Sequence, residues 1–370
     1  MRYKIPQVGI YQYLTSNPNK IPDDKVIYVD GVTGKGYTFG EFKHESKRFA
    51  AGLQDKLEFN CGDVLAMFSP NKVDYPIAVL GTIAAGGKVT TVNPKYEATD
   101  LSYQLTDSGA SVLIVHPEIL EVAIEALINA EIPTSRVLLF GDKEIKGYKP
   151  YRSVLINNRE IEPIHYTPEE VKSTAAYLVY SSGTTGTQKG VEITHTSAIV
   201  RSAQAINVEC KLGSHSKTMA VLGHCHSFGL ARIIQATLIH QFDLSSVDAI
   251  ICGAAPLNAK LERKFYEMFK IPILQIYGLT EAGIVLQCPN ATVPGSVGIL
   301  YPNMKAKILS DDGRELEYNE PGELWIHGPN VMKGYLNNKE ATDVVFDKTR
   351  FFNTGDIVSV DEQGIFFMNV

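Results

Sequence analysis

Apolar runs and amphipathic stretches alternate along the first 140 residues of the chain. Residues 63–69 (DVLAMFS) read as a buried strand, with further strands at 88–92, 111–115 and 136–140. Between them, 73–85 is an apolar helix and Ala98–Ser108 another. Residues 118–130 form a third, with apolar positions at Ile119, Val122, Ala123 and Ala126. Residues 37–59 are helical after Thr38, where Glu41 three positions on completes a capping box. Strands alternating with helices of this length predict a doubly wound, mainly parallel sheet. Residues 141–173 are polar without a strong period and predict a surface connection.

The alternation resumes at 177–180, a buried strand, followed by a β-rich run through Val191 and Ile193. A helix is expected at 196–206 and a strand at 219–222 running into GHCHSFGL. A strand at 247–252 ends in GAAPL, a charged helix covers Ala259–Phe269, and a strand at 273–277 ends in GLTEAG. From Gly295 the period changes. MKAKILS, a DDGR turn, GELWIHG and TGDIVSV are short alternating strands separated by Asp-Gly and Pro-Gly signals, an antiparallel β unit packed on the α/β body. Trp325, the single tryptophan, is expected in the core of that unit. The fold class is therefore α/β, with expected subdivisions at 1–173 (first sheet), 174–294 (second sheet) and 295–370 (antiparallel unit).

Composition narrows the class. The 370 residues, 44% hydrophobic and 21% charged, are those of a soluble globular protein with cores of two or three domains or subdomains. A net charge of -6 and a pI near 5.9 leave no electrostatic footprint for nucleic acid. Five scattered cysteines without C-x-x-C spacing argue for a reducing compartment, against a disulfide frame or zinc knuckle. No secretory signal is evident at MRYKIPQVGIYQYL, and no apolar run is long enough to span a bilayer. Cytoplasmic residence is the expectation.

The stretch with the most chemistry is YLVYSSGTTGTQKGVEITH, residues 177–195. Gly183 and Gly186 allow turns that Cβ atoms would block, and bare amides in such turns form an anion-binding concavity. Ser181, Ser182, Thr184 and Thr185 add hydroxyl donors and Lys189 a mobile positive charge. The spacing is not Gly-x-x-x-x-Gly-Lys-Ser/Thr, since Gln188 precedes Lys189 and Gly190 follows it. A Ser/Thr/Gly surface hairpin has the same local composition, so the neighbouring motifs decide.

Four stretches belong together: SSGTTGTQKG, GAAPL (253–257), IYGLTEAG (276–283) and NTGD (353–356). Three of them sit where a strand ends, the place of ligands in open α/β sheets. In this order the chain resembles the adenylate-forming superfamily of acyl-CoA synthetases, adenylation domains and luciferase, most of all its 4-coumarate–CoA ligase and luciferase-like branch. The quieter GSVG (295–298) and GELWIHGPNVMKGYLNN share the resemblance. It implies the large N-terminal part of that fold: two doubly wound sheets plus a small antiparallel β unit. It also implies attack of a carboxylate on the α-phosphate of Mg-ATP, loss of pyrophosphate, and acyl transfer to coenzyme A. Ser181–Gly186 with Lys189 would cradle phosphates, Thr280 would donate to the α-phosphate, and Glu281 would hold Mg2+. Ala255, Gln275, Ile276 and Tyr277 would line the adenine pocket, Gly253, Ala254 and Gly278 would also bind the nucleotide, and Asp356 would accept from the ribose hydroxyls. His226 and Phe228, with Ala255 and Gly278, would border the acyl group. His224 and His226 share a strand face and suit a metal pair, yet no third ligand lies near them in sequence.

The chain departs from the family pattern in several places. Gln188 stands where the phosphate loop usually has Pro, and Ile276 where the adenine strand often has Gly. ARIIQATLIHQF runs straight into Asp243, where relatives place a βαβ-sized stretch of roughly 30 or more residues. The chain stops at Val370 inside an apolar run (IFFMNV), before the family's hinge and C-terminal lid domain with its catalytic lysine, so impaired turnover is expected. A peroxisomal address, common in this branch, would be lost with that tail. Two functions follow: an acyl-CoA ligase represented by an incomplete chain, or a non-catalytic relative that binds nucleotide or serves as an interaction module.

Overall fold

Capping chemistry starts the first long helix where the sequence places it. In the computed structural model, Glu41 Oε2 accepts from the Thr38 amide at 2.8 Å and Thr38 Oγ1 from the Glu41 amide at 3.2 Å, opening the helix Phe39–Leu57. The structure describes residues 5–17, 20–30, 33–181, 188–207, 225–226, 250–253, 257, 259–269, 271–288 and 293–369. The strand expected at 219–222 and the junction at 240–243 lie outside them.

After the hairpin β1 (Val26–Val29) and β2 (Gly36–Thr38) come the strands of the first sheet. They are β3 (Val64–Phe68), β4 (Lys88–Val92), β5 (Ala110–Val115), β6 (Val137–Leu139), β7 (Lys149–Pro150), β8 (Ala175–Ser181) and β9 (Lys189–Thr194). Their order is β7-β6-β5-β3-β4-β8-β9, parallel throughout except that β9 runs antiparallel to β8. Every residue of β3 is buried because helices cover both faces. Leu65 and Met67 join the core of the helices Phe39–Leu57 and Tyr75–Ala84, while Val64, Ala66 and Phe68 join that of Ala98–Ser108 and Leu120–Ala126. Each large apolar side chain so buried contributes about 1.5–3 kcal/mol.

Residues 174–194 were expected in the second sheet. They complete the first: β8 pairs with β4, and Thr90 Oγ1 donates to the Leu178 carbonyl at 2.9 Å. Chain order alone does not say which open edge a new strand joins. The segment 141–173 also differs from its expectation. It carries β7 and the helix Tyr151–Leu155, and buries Tyr151, Leu155 and Ile161. Tyr151 donates to Asp74 Oδ2 at 2.8 Å, and Arg152 pairs with Glu45 and Asp74. The polar residues that hid this segment are partners for charges far away in sequence.

The second sheet holds β10 (Ile250–Cys252), β11 (Ile273–Leu279), β12 (Gly283–Gln287), β13 (Ser296–Leu300), β14 (Lys305–Leu309), β15 (Gly322–His327), β16 (Phe352–Val360) and β17 (Phe366–Met368). Its order is β10-β11-β12-β13-β17-β16-β15-β14. The β10–β11 pair is parallel and the others antiparallel, so the expected antiparallel unit continues the sheet of GLTEAG. On β15, Leu324 and Ile326 are fully buried. Trp325, expected in the core, takes the opposite, half-buried face beneath Lys307, as strand alternation requires. One apolar cluster joins Tyr177 and Ile193 of the first sheet to Val285, Leu324 and Phe352 of the second. No helix among the described residues is long and apolar enough to cross a membrane.

Candidate functional site

The hairpin β8–β9 closes at Ser181↔Lys189, so its loop leaves the C-terminal end of β8, where parallel β4 also ends. Ser182, Gly183, Thr184, Thr185 and Gly186 lie outside the described residues. At the mouth, the Ser181 hydroxyl is buried with no hydrogen-bond partner among the described residues. Leaving such a group unpaired costs about 1–3 kcal/mol, which suits a donor awaiting a ligand. The loop's exit is held by the helix Ala98–Ser108. Gln188 Nε2 donates to Asp100 Oδ1 at 3.1 Å, and Tyr103 donates to the Gln188 carbonyl at 3.1 Å. A glutamine in the usual proline's position is thus anchored through its side chain.

The tight hairpin β11–β12 carries Gly278, Thr280 and Glu281. A side chain at Gly278 would overlap the Gly283 carbonyl, so the two strands approach only with glycine there. Under the hairpin lies buried Arg201, from the helix His195–Asn207. Its guanidinium donates to the Thr280 carbonyl (3.1 Å) and twice to that of Asn330 (3.2 and 3.0 Å). Asn330 in turn donates to the Ala282 carbonyl at 2.6 Å. Burial pulls the Arg201 pKa down to about 10, and the Glu281 charge opposes that fall. Neither Arg201 nor Asn330 is a sequence candidate. Asn330 has a signal, the GPNVMKGY stretch; Arg201 has none.

That stretch supplies the third wall. Leu336 donates to the Gly190 carbonyl (2.6 Å), Glu192 to that of Gly334 (3.1 Å), and Lys333 to that of Glu192 (3.2 Å), laying 333–336 along β9. Tyr335 thereby stands at both charged candidates. Its hydroxyl donates to Glu281 Oε1 at 3.1 Å, and the Lys189 ammonium lies 5.1 Å from its ring centroid. Burial and the Glu281 charge push the Tyr335 pKa up, so the hydroxyl keeps its proton. Tyr277 donates to Asp356 Oδ2 at 2.6 Å, and its pKa is raised by burial, by Asp356 and, more weakly, by Glu281. Lys189, Glu281, Tyr277 and Asp356 therefore share one neighbourhood.

Other candidates are placed differently. The Gln275 side chain is buried and bonded to both backbone groups of Leu257 (3.1 and 3.2 Å) and to Glu262 (2.8 Å), so it fixes Leu257 in place. Ile276 is buried against Gly253, where a Cβ would come within 2.6 Å of it. Ala254, Ala255, Phe228 and His224 lie outside the described residues. His226 is exposed, and the neighbouring Cys225 carbonyl accepts from Thr91 Oγ1 at 2.7 Å, setting it beside β4. No group of three His, Cys, Asp or Glu side chains that could hold a metal occurs among the described residues. A cavity of about 480 Å³ lies behind 328–333, lined by Lys172, Phe346 and Arg350; none of the nucleotide candidates lines it.

The fold is that of the adenylate-forming enzymes. A long-chain-fatty-acid–CoA ligase from Archaeoglobus fulgidus superposes with a TM-score of 0.87 at 22% identity, over 100% of this chain and 85% of that one. The chain belongs to the AMP-binding enzyme family, whose model matches residues 14–241 and 231–336. It is 30% identical to 4-coumarate–CoA ligase-like 2 of Arabidopsis thaliana, over 98% of this chain and 72% of that protein. It is 32% identical to the probable 4-coumarate–CoA ligase 3 of Dictyostelium discoideum, over 93% and 74%. The class is that of acid–thiol ligases. The Arabidopsis alignment spans 422 positions against a chain of 370, so that relative carries residues absent here. The two pieces of the family match meet at 231–241, beside the short junction.

Proposed function

We propose that the chain activates a carboxylic acid as its acyl-adenylate and passes the acyl group to coenzyme A, as in the 4-coumarate–CoA ligases it resembles. The observation that supports this is the convergence of Lys189, Glu281 and the Tyr277–Asp356 pair beyond the end of β8. In this reading a substrate carboxylate oxygen attacks the α-phosphorus of ATP, and pyrophosphate leaves with the electron pair of the broken bond. The coenzyme A thiolate then attacks the acyl carbon and AMP departs. Lys189 and the loop from Ser181 hold phosphates, the Thr280 hydroxyl donates at the α-phosphate, and Asp356 accepts from the ribose. Ala255, Ile276 and Tyr277 line the adenine, while His226, Phe228 and Gly278 border the acyl group.

Glu281 fits a magnesium carboxylate. Its carboxylate offers hard oxygens, lies near buried Arg201, and among the described residues accepts only from the Tyr335 hydroxyl. The ion would be held jointly by Glu281 and phosphate oxygens, and supplies neutralisation of phosphate charge.

Charge-assisted contacts contribute about 1.5–3 kcal/mol each, so Lys189→Ala or Glu281→Ala should weaken Mg-ATP binding roughly 10- to 100-fold. Calorimetry with unchanged affinity in both variants would sink the assignment. Acid-dependent exchange of pyrophosphate into ATP, across a panel of aryl and fatty acids, tests the first half-reaction. The 422-position alignment favours one alternative, a relative that binds nucleotide without turnover. Mg-ATP binding with no exchange for any acid would select it.

A further inference from the structure

Resting on the nucleotide site just proposed, we infer that Tyr335 is a positioning residue that stops Lys189 and Glu281 from neutralising each other. Its ring takes the Lys189 ammonium at 5.1 Å from the centroid, and its hydroxyl gives Glu281 Oε1 a neutral donor at 3.1 Å. Lys189 and Glu281 thus share Tyr335 as a neighbour and make no direct ion pair with each other; without the tyrosine the two opposite charges are left to move together. The amine would then be withheld from phosphate and the carboxylate from metal.

Tyr335 replaces that contact with two weaker ones. One is a cation–π contact to a neutral ring and the other a hydrogen bond from a neutral hydroxyl. Both are readily exchanged for phosphate and metal ligands. The backbone fixes the ring where this works. Tyr335 bridges Val191 on β9, the strand that Lys189 opens, and its amide donates to Thr342 Oγ1 at 2.9 Å. The local salt bridge of this stretch goes to another lysine, Lys333, which meets Glu192 at 3.4 Å.

Two substitutions separate the two contacts. Tyr335→Phe keeps the ring and removes the donor. It should raise the magnesium concentration for half-maximal ATP binding about three- to tenfold, yet leave metal-free ATP affinity within about twofold. Tyr335→Leu removes both, so metal-free ATP affinity should itself fall about tenfold. Adding Glu281→Gln to Tyr335→Leu should restore metal-free affinity, because the lysine loses its competing anion. A purely structural tyrosine would give no such rescue. If Tyr335→Leu fails to fold, the Tyr335→Phe/Glu281→Gln double variant carries the test: its magnesium dependence should match that of Glu281→Gln alone. Additive shifts there, or no rescue in the leucine background, would overturn the role of Tyr335. Magnesium dependence unmoved by Glu281→Gln would overturn the underlying site assignment instead.

Discussion

His195 shows how one residue couples the N-terminal segment to the body. It is fully buried; its Nδ1 accepts from the Ile10 amide at 3.2 Å, and its ring lies 4.4 Å from that of Tyr166. Burial pulls its pKa down to about 4 from an ordinary value near 6.5. The unfolded chain therefore binds the extra proton first. Stability contributed by neutral His195 is fully present above about pH 6.5 and is lost as pH falls toward 4, at about 1.4 kcal/mol per pH unit. Urea midpoints should drop between pH 7.5 and pH 5, and His195→Gln should flatten that drop. An unchanged slope in the variant would show that another group governs the acid limb. Nothing in the TH-T context of His195 announces this burial. The same holds for Arg201, whose partners Thr280 and Asn330 come from 79 and 129 positions away.

Among the elements, local chemistry made some legible and long-range packing hid others. The Thr38–Glu41 box starts a helix because both bonds lie within three residues. The helix Tyr151–Leu155 is invisible in sequence, because the side it buries is built by Gly52 and Phe49 of another helix. At Gly52 a methyl group would overlap the Leu155 carbonyl backbone. Alanine normally gains about 0.5–1 kcal/mol over glycine inside a helix. Here overpacking should reverse the sign and cost about 1–3 kcal/mol. Thermal unfolding of Gly52→Ala should show a lower melting temperature, and an increase would mean the two helices separate freely.

For the molecule as a whole, the second sheet ends at β10 among the described residues, and Ile250 there is 36% exposed. On the helix Ala259–Phe269, Leu261 and Met268 are 56% and 62% exposed. Large apolar side chains left wet each forfeit about 1.5–3 kcal/mol, against a net stability of about 5–15 kcal/mol for a domain. The chain should therefore bind the dye ANS, and Leu261→Asp with Met268→Lys should reduce that binding. A dye-silent monomer with one cooperative transition would show this face to be closed.

What the sequence determined by itself is whatever short-range order encodes. Strand–helix alternation, the capping box, the Asp-Gly turns and the linear motifs around Lys189, Glu281 and Asp356 were enough for the fold class and the family. The tertiary structure decided which edge β8 joins, and that the antiparallel strands extend the GLTEAG sheet. It also turned Trp325 away from the core and brought Tyr335, 54 positions from Glu281 in sequence, between that carboxylate and Lys189. These outcomes depend on contacts between distant segments. Their energies come from burial and pairing that no window of neighbouring residues contains.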